Sequence, residues 1–141
     1  AIREDIEGLI QALSPLFTFD VSLPIPEMNR YVTGLEEALA RDWPRGRMVT
    51  FGHLGDGNLH ISITVGSADP AERRAVERLV YTPLAELGGS VSAEHGIGLE
   101  KRHYLALSRT PEEITLMHTL KRALDPYGLL NRHKVLAPED G

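Results

Sequence analysis

The chain has 141 residues, a formal net charge of -5 and no cysteine. This length fits a single domain with a proper core, and the acidic balance, with Lys and Arg scattered among acidic residues, argues against a nucleic-acid or anionic-membrane partner. The lack of cysteine excludes disulfides, thiolate metal sites and cysteine nucleophiles, and no apolar run approaches the roughly 20 residues of a membrane span.

The first half of the chain predicts alternating helices and strands. It begins at Ala1 without methionine and opens directly in a helical pattern over residues 2–13, so we expect a piece of a longer protein. Alternation over residues 17–23 predicts a strand with one apolar face, and the helix that follows Pro26 runs to about Arg41.

The second half predicts two long helices, a short strand and a tail. Apolar spacing predicts a helix over residues 75–87, kinked at Pro83, and then a strand over residues 90–92. Residues 99–107 are also compatible with a helix. Thr110 and Glu113 have the spacing of a capping box, which begins a helix that ends before Pro126, and an extended tail follows.

Residues 49–64 predict a β-hairpin with a glycine-rich turn at residues 55–58. If Leu54 and Leu59 flank that turn as a pair, His53 faces His60 on the neighbouring strand. Cross-strand Cβ atoms are about 5 Å apart, which is close enough for one metal ion to sit between two imidazoles. A phosphate-binding loop is the less favoured interpretation, because no helix N-terminus follows the turn.

The order strand, helix, strand, strand, helix, strand predicts an α+β, ferredoxin-like fold with helices on one face of an antiparallel sheet and flanking N- and C-terminal helices. In the spatial order 4-1-3-2, Glu94 shares one edge of the sheet with His53 and His60, about 10 Å from His60 by backbone. Two imidazoles and a carboxylate suit zinc, manganese or ferrous iron. The alternative is a pair of half-exposed histidines beside a hairpin.

Three further side chains have two interpretations each. His95 is either a surface histidine or, because Gly96 and Gly98 let the chain turn there, a base beside the metal that removes a hydroxyl proton. Lys101 and Arg102 form either a solvated helix face or a contact to an anionic substrate.

The motifs GHLGDGNLH (52–60), SAEHGIGLEK (92–101) and KRALDPYGLLN (121–131) resemble, in order and spacing, the C-terminal domain of the FAD-linked oxidases. This group includes D-lactate dehydrogenase, D-2-hydroxyglutarate dehydrogenase and the FAD subunit of glycolate oxidase. The resemblance covers most of the chain. It implies that all 141 residues form one C-terminal domain of an FAD-dependent 2-hydroxy acid dehydrogenase, whose N-terminal FAD-binding domain is absent from this chain.

The resemblance also implies roles for individual residues. It makes His53, His60 and Glu94 the metal ligands, His95 the catalytic base and Asn131 a flavin contact. Substrate contacts are expected at Lys101 and at Ser62, which stands where members resembling D-2-hydroxyglutarate dehydrogenase have asparagine.

Partners and alternatives complete these expectations. A 2-hydroxy acid, the FAD-binding domain and an unspecified electron acceptor are the expected partners, with self-association through the exposed sheet face and a cytoplasmic or peripheral membrane location. Two other functions are left open. One is an isolated, non-catalytic binding module or truncated fragment, which by itself would hold no flavin, and the other is a metal-dependent hydrolase.

Overall fold

A computed structural model describes residues 14–138, so the helix expected at residues 2–13 lies outside the described residues. The fold is α+β, as expected. Its helices and strands, in chain order, are β1 (Phe17–Ser22), α1 (Ile25–Asp42), β2 (Arg47–His53), β3 (Asn58–Thr64), α2 (Pro70–Tyr81) and α3 (Pro111–Leu124). Short 3-10 turns lie at Leu54–Asp56, Thr82–Leu84 and Arg102–Leu107. No helix among these combines the length and the apolar character that crossing a membrane requires.

The sheet is antiparallel, with the strand order β1-β3-β2. Because side chains alternate along a strand, one face is apolar and buried, and it carries Phe17, Phe19, Val21, Leu59, Ile61 and Ile63. The opposite face carries Thr18, Asp20, His60 and Ser62. The alternation that predicted β1 and the hairpin is confirmed.

Helices α1 and α2 cover the apolar face. Each contributes a buried stripe, made of Met28, Tyr31, Leu35 and Leu39 in α1 and of Val76, Val80 and Tyr81 in α2. Asp69 caps the N-terminus of α2, and its carboxylate accepts a hydrogen bond of 2.7 Å from the Ala71 amide. It ends at Tyr81 and passes into a 3-10 turn, where the sequence predicted a kink at Pro83.

The fourth strand predicted at residues 90–92 is reduced to one bridge between Ser22 and Ser90. Two backbone hydrogen bonds of 2.8 and 3.1 Å form it, at the β1 edge, where the predicted strand order placed the fourth strand. The chain then leaves the sheet because the next amides donate elsewhere. Those of Ala93, Glu94 and His95 bond the carboxylate of Asp20 instead of a neighbouring strand.

The hairpin pairs differently from the prediction. His53 pairs with Asn58 and Phe51 pairs with His60, so the loop is residues 54–57. Gly57 explains the difference, since its φ of 70° closes the 3-10 turn one residue earlier than expected. His53 and His60 still share a face, because a pairing change of two residues preserves the alternation.

The sheet face opposite the helices is less open than predicted. Ser62 and Thr64 are only 8% and 9% exposed, and the Lys101 ammonium reaches across to the backbone of Asp20.

In the C-terminal third, the helix predicted over residues 99–107 is a 3-10 turn from Arg102. The α3 capping box is confirmed, as is the end of α3 before Pro126. The prediction of an extended tail is wrong for its described part, up to residue 138, where positive φ angles at Asn131, His133 and Val135 fold the chain into turns.

Candidate metal and substrate site

The candidate site begins at the centre of the polar sheet face. In the antiparallel register of β1 and β3, Asp20 lies directly opposite His60, and Thr18 lies opposite Ser62. Two residues after Asp20, Ser22 ends β1 and forms the bridge to Ser90. The bridge therefore brings residues 92–95 over the same face as His60.

His60 and Glu94 meet there. The Nε2 atom of His60 is 3.1 Å from Glu94 Oε1, and the Asn58 side-chain amide donates a 2.8 Å hydrogen bond to the same oxygen. The Glu94 side chain is 50% exposed, while that of His60 is 19% exposed. The two groups therefore form the boundary between the sheet and solvent.

His95 lies beside this pair. The centroid of its ring is 5.8 Å from that of His60, and its Nδ1 atom is 3.9 Å from Asp20 Oδ2. Its side chain is 65% exposed, so one edge of the imidazole is accessible to a small molecule. The geometry is compatible with a proton acceptor next to the His60–Glu94 pair.

His53 is close to the site but is not part of its tightest group. Its ring packs edge-on against His60 at 5.6 Å, and its Nδ1 atom is 4.0 Å from Asp56 Oδ2. Among residues 14–138, potential ligand atoms within 4.8 Å of one another come from Asp20, His60, Glu94 and His95. Of the three ligands expected from the sequence, the structure brings two into contact and leaves the third adjacent.

Asp20 is the member that sequence reasoning did not single out. It is 1% exposed, and its Oδ2 atom accepts hydrogen bonds of 2.9 to 3.1 Å from three consecutive amides, at residues 93–95. Burial raises the pKa of Asp20, but the bonds from His95 and Glu94 and the charge of Lys101 outweigh it, so the pKa lies below its ordinary value. The feature of the sequence that could have identified Asp20 is an acidic residue in the middle of a predicted strand.

Lys101 is the counter-charge of Asp20. Its Nζ atom donates 3.1 Å hydrogen bonds to the Asp20 carbonyl and to Ser92 Oγ, and it lies 3.8 Å from the Asp20 carboxylate. Only 13% of the side chain is exposed, and this burial lowers the pKa of Lys101 while Asp20 and Glu100 oppose the shift. The interpretation of Lys101 as a solvated helix face is therefore wrong.

A cavity of 640 Å³ opens next to these groups. Its wall includes Phe51, His60, Ser62, His95, Ile97 and Lys101. Cavities of several hundred Å³ with a few convergent polar groups are typical of small-molecule sites. Ser62 and Lys101, both expected to contact substrate, thus line one cavity with His60 and His95, whereas Asn131 lies in the C-terminal tail and lines a separate depression.

The donor set fits a divalent metal. Neighbouring ligand atoms on one zinc or manganese ion lie about 3 Å apart, because each bond is about 2.1 Å long. The His60 Nε2 to Glu94 Oε1 distance of 3.1 Å has this spacing. Imidazole nitrogen and carboxylate oxygen are also ligand types that these metals accept in common, so the donors do not choose among them.

The α+β fold and the imidazole–carboxylate cluster beside the cavity define a domain with a candidate site for a metal and a small molecule. The family model for "FAD linked oxidases, C-terminal domain" matches residues 1–135. The chain therefore belongs to the family of FAD-linked oxidase C-terminal domains, which confirms the resemblance noted in its motifs.

Named relatives agree with this family. The chain is 41% identical over 137 residues to a mitochondrial D-2-hydroxyglutarate dehydrogenase of Rattus norvegicus, covering 96% of the chain and 25% of that protein. It is 38% identical over 141 residues to a putative mitochondrial D-lactate dehydrogenase of Schizosaccharomyces pombe, covering 94% of the chain and 27% of that protein. A D-2-hydroxyglutarate dehydrogenase of Stutzerimonas stutzeri is 33% identical, with 96% and 30% covered. The chain thus spans about a quarter of the length of these relatives.

Proposed function

We propose that this chain is the substrate-binding domain of an FAD-dependent 2-hydroxy acid dehydrogenase that uses a divalent metal. The main support is the approach of His60 Nε2 to Glu94 Oε1 at 3.1 Å, with the His95 imidazole beside them at the cavity. Membership of the FAD-linked oxidase family supports FAD as the cofactor, and the names of the relatives support a 2-hydroxy acid as the substrate. An N-terminal FAD-binding domain is the proposed partner.

His60 and Glu94 would hold the metal directly. His53 is the third proposed ligand, since its ring already packs against His60 on the same sheet face. A metal bound there would lower the cost of ionising a substrate hydroxyl by drawing its electrons. The Asn58 amide, which donates to Glu94 Oε1, keeps that carboxylate directed at His60.

His95 is the proposed base. A neutral imidazole at the edge of the cavity can accept the proton of the 2-hydroxyl group at a ring nitrogen. FAD, when bound, supplies the acceptor for the hydride that leaves the α-carbon, so that the 2-hydroxy acid becomes a 2-oxo acid. The proton and the hydride together account for both hydrogens that the substrate loses.

Ser62 and Lys101 are the proposed substrate contacts. Both line the cavity with His60, and Lys101 places a positive charge on the wall that a carboxylate would face. Its ammonium is already bonded to Asp20 and Ser92, so its contribution would be mainly to the local potential. Asn131 is proposed only as a flavin contact from the tail.

The test uses the full-length protein that contains this chain, with D-lactate and D-2-hydroxyglutarate as substrates. Stopped-flow absorbance would follow flavin reduction, and elemental analysis would count bound metal. We expect His95→Gln to slow flavin reduction by about 10² to 10⁴ with the metal retained, and His60→Ala to lose the metal.

His103→Gln makes the same chemical change at an exposed histidine in the 3-10 turn and should match the wild type. Equal rates of flavin reduction in the wild type and His95→Gln would contradict the role of His95 as the base. Full metal content in His60→Ala would contradict the metal assignment. A wild type that oxidises neither acid would remove the proposed activity.

A further inference from the structure

Asp20 is buried in β1 but faces away from the hydrophobic core. It lies opposite His60 in the β1–β3 register and is 1% exposed. Burying a carboxylate costs free energy unless its oxygens accept hydrogen bonds or lie near positive charge. The two oxygens of Asp20 have different neighbours, and both face parts of the candidate metal site.

The Oδ2 atom holds the loop that carries Glu94 and His95. It accepts hydrogen bonds from the amides of Ala93, Glu94 and His95 at 3.1, 3.0 and 2.9 Å, and from Ser92 Oγ at 3.3 Å. These donors are 72 to 75 residues away in the chain. One oxygen therefore fixes where two candidate functional side chains leave the backbone.

The Oδ1 atom faces His60. It is buried and has no hydrogen-bond partner among the described residues, and it lies 3.8 Å from His60 Nδ1. The other ring nitrogen, Nε2, is the one next to Glu94. A small rotation of the ring would let Nδ1–H donate to Oδ1. Glu94 is half exposed and can take its hydrogen bonds from solvent, whereas the buried Oδ1 has no other partner among the described residues, so Asp20 competes with Glu94 for the single N–H of a neutral ring. With the proton on Nδ1, the lone pair of Nε2 is left free for a metal.

We infer that Asp20 is a positioning residue of the metal site, which selects the Nδ1–H tautomer of His60 and holds Glu94 and His95 in place. A histidine that binds metal through Nε2 usually donates its Nδ1–H to a carboxylate or carbonyl, and this partner fixes the ring. The inference rests on the proposed function only for the metal itself. The tautomer is a property of the metal-free protein.

Lys101 completes the arrangement as the positively charged neighbour of Asp20. Its ammonium is 3.8 Å from Asp20 Oδ2 and bonds the Asp20 carbonyl. An ionised carboxylate accepts hydrogen bonds at both oxygens, so Oδ1 stays available to His60 while Oδ2 serves the loop.

The experiment determines the tautomer of His60 from the ¹⁵N shifts of the ring nitrogens. It uses the metal-free, full-length protein labelled with ¹⁵N-histidine at pH 8, and His60→Gln identifies the His60 signals. We expect the Nδ1–H tautomer in the wild type. In Asp20→Asn, the side-chain oxygen can still accept the hydrogen bonds of the three loop amides, and the NH₂ group of the new asparagine then faces Nδ1. Nδ1 must therefore accept a hydrogen bond, so we expect the Nε2–H tautomer. Because Nε2 then carries the proton, we also expect zinc binding to weaken by about 10–100-fold.

Asp42→Asn is the matched control, since it makes the same change at a carboxylate that pairs with Arg41 at the surface. It should leave both the tautomer and the zinc Kd unchanged. An Nε2–H tautomer in the wild type, or an Nδ1–H tautomer retained in Asp20→Asn, would overturn the inference. If Asp20→Asn does not fold, the tautomer of His60 in the wild-type spectrum is by itself the test of the inference.

The two proposals fail in different ways. If zinc, manganese and ferrous iron all fail to bind the wild type while His60 has the Nδ1–H tautomer, the metal part of the proposed function is lost and the role of Asp20 in orienting His60 stands. If metal binds and His60 has the Nε2–H tautomer, the role of Asp20 in orienting His60 is lost and the metal part of the proposed function stands.

Discussion

Gly57 joins the hairpin to the end of β1. Its φ is 70°, and its carbonyl accepts a 3.0 Å hydrogen bond from the Leu23 amide. A Cβ atom added at this position would lie 2.2 Å from the Leu23 carbonyl oxygen. Any side chain there would meet both an unfavourable backbone conformation and a backbone clash.

Gly57→Ala should therefore destabilise the domain. The left-handed conformation alone costs an alanine roughly 1–2 kcal/mol, and the clash with Leu23 adds to it. The free energy of unfolding in urea measures the loss. Gly55→Ala, in the same turn, meets no atom within 4 Å and should change this free energy by less than about 0.5 kcal/mol. Equal losses in the two variants would refute the explanation.

Individual site residues were predictable to different degrees. His60 and Glu94 could be chosen from the sequence, because strand alternation and the order of strands place them at one edge. His95 had two interpretations, and its place beside them depended on a turn of the chain at Gly96 and Gly98. Asp20 could not be chosen in this way. Its role depends on amides 73 to 75 residues later in the chain, and only the folded chain shows that they converge on one oxygen.

At the scale of elements, α3 shows how local chemistry sets both ends of a helix. Thr110 and Glu113 form a reciprocal capping box at its start. Beyond its end, Asp125 accepts hydrogen bonds from the Leu129 and Leu130 amides at 2.8 and 2.9 Å and pairs with Lys121. These contacts, led by Lys121 and the Leu130 amide, lower the pKa of Asp125 to about 2.

The lowered pKa of Asp125 predicts a pH dependence. Because the folded pKa is about 2 and the ordinary value is 3.8, the ionised carboxylate stabilises the fold above about pH 3.8. This contribution is lost as the pH falls towards 2. The free energy of unfolding of the wild type minus that of Asp125→Asn should be constant from pH 7 to 5 and shrink below 3.8. A difference that is the same at pH 2.5 and pH 7 would contradict it.

The elements that departed from prediction did so for contacts that the local sequence does not reveal. The strand expected at residues 90–92 is a single bridge, because the Asp20 carboxylate takes the amides that would have continued the ladder. The hairpin register moved because Gly57 adopts the left-handed conformation at the end of the turn. Alternation of side chains survived both changes, so the faces of the sheet were predicted correctly.

At the scale of the whole molecule, stability and the candidate chemistry lie on opposite faces of one sheet. The α1 and α2 helices bury the apolar face, and the polar face carries Asp20 and His60. The two-layer arrangement could be predicted from apolar periodicity alone. The contacts between the helices could not be predicted in this way, because they depend on how the apolar stripes of two helices pack against each other.

Tyr31 makes one of those contacts. It is 2% exposed, and its hydroxyl group donates a 2.7 Å hydrogen bond to the Val80 carbonyl, which joins α1 to α2. Burial raises the pKa of Tyr31, which stays protonated and remains a donor. Because the ring is enclosed in the core, Tyr31→Phe would keep the packing and remove only the hydrogen bond.

We expect Tyr31→Phe to lower the free energy of unfolding in urea by about 1–2 kcal/mol, the cost of losing a buried hydrogen bond. Tyr127→Phe removes the same hydroxyl from a side chain that is 84% exposed and should change it by less than about 0.5 kcal/mol. Because Tyr31 lies on the helical side of the sheet, the zinc Kd and the tautomer of His60 should match the wild type. If Tyr31→Phe altered that tautomer, the two faces would be coupled through the sheet, and its separation into a stabilising face and a chemical face would be wrong.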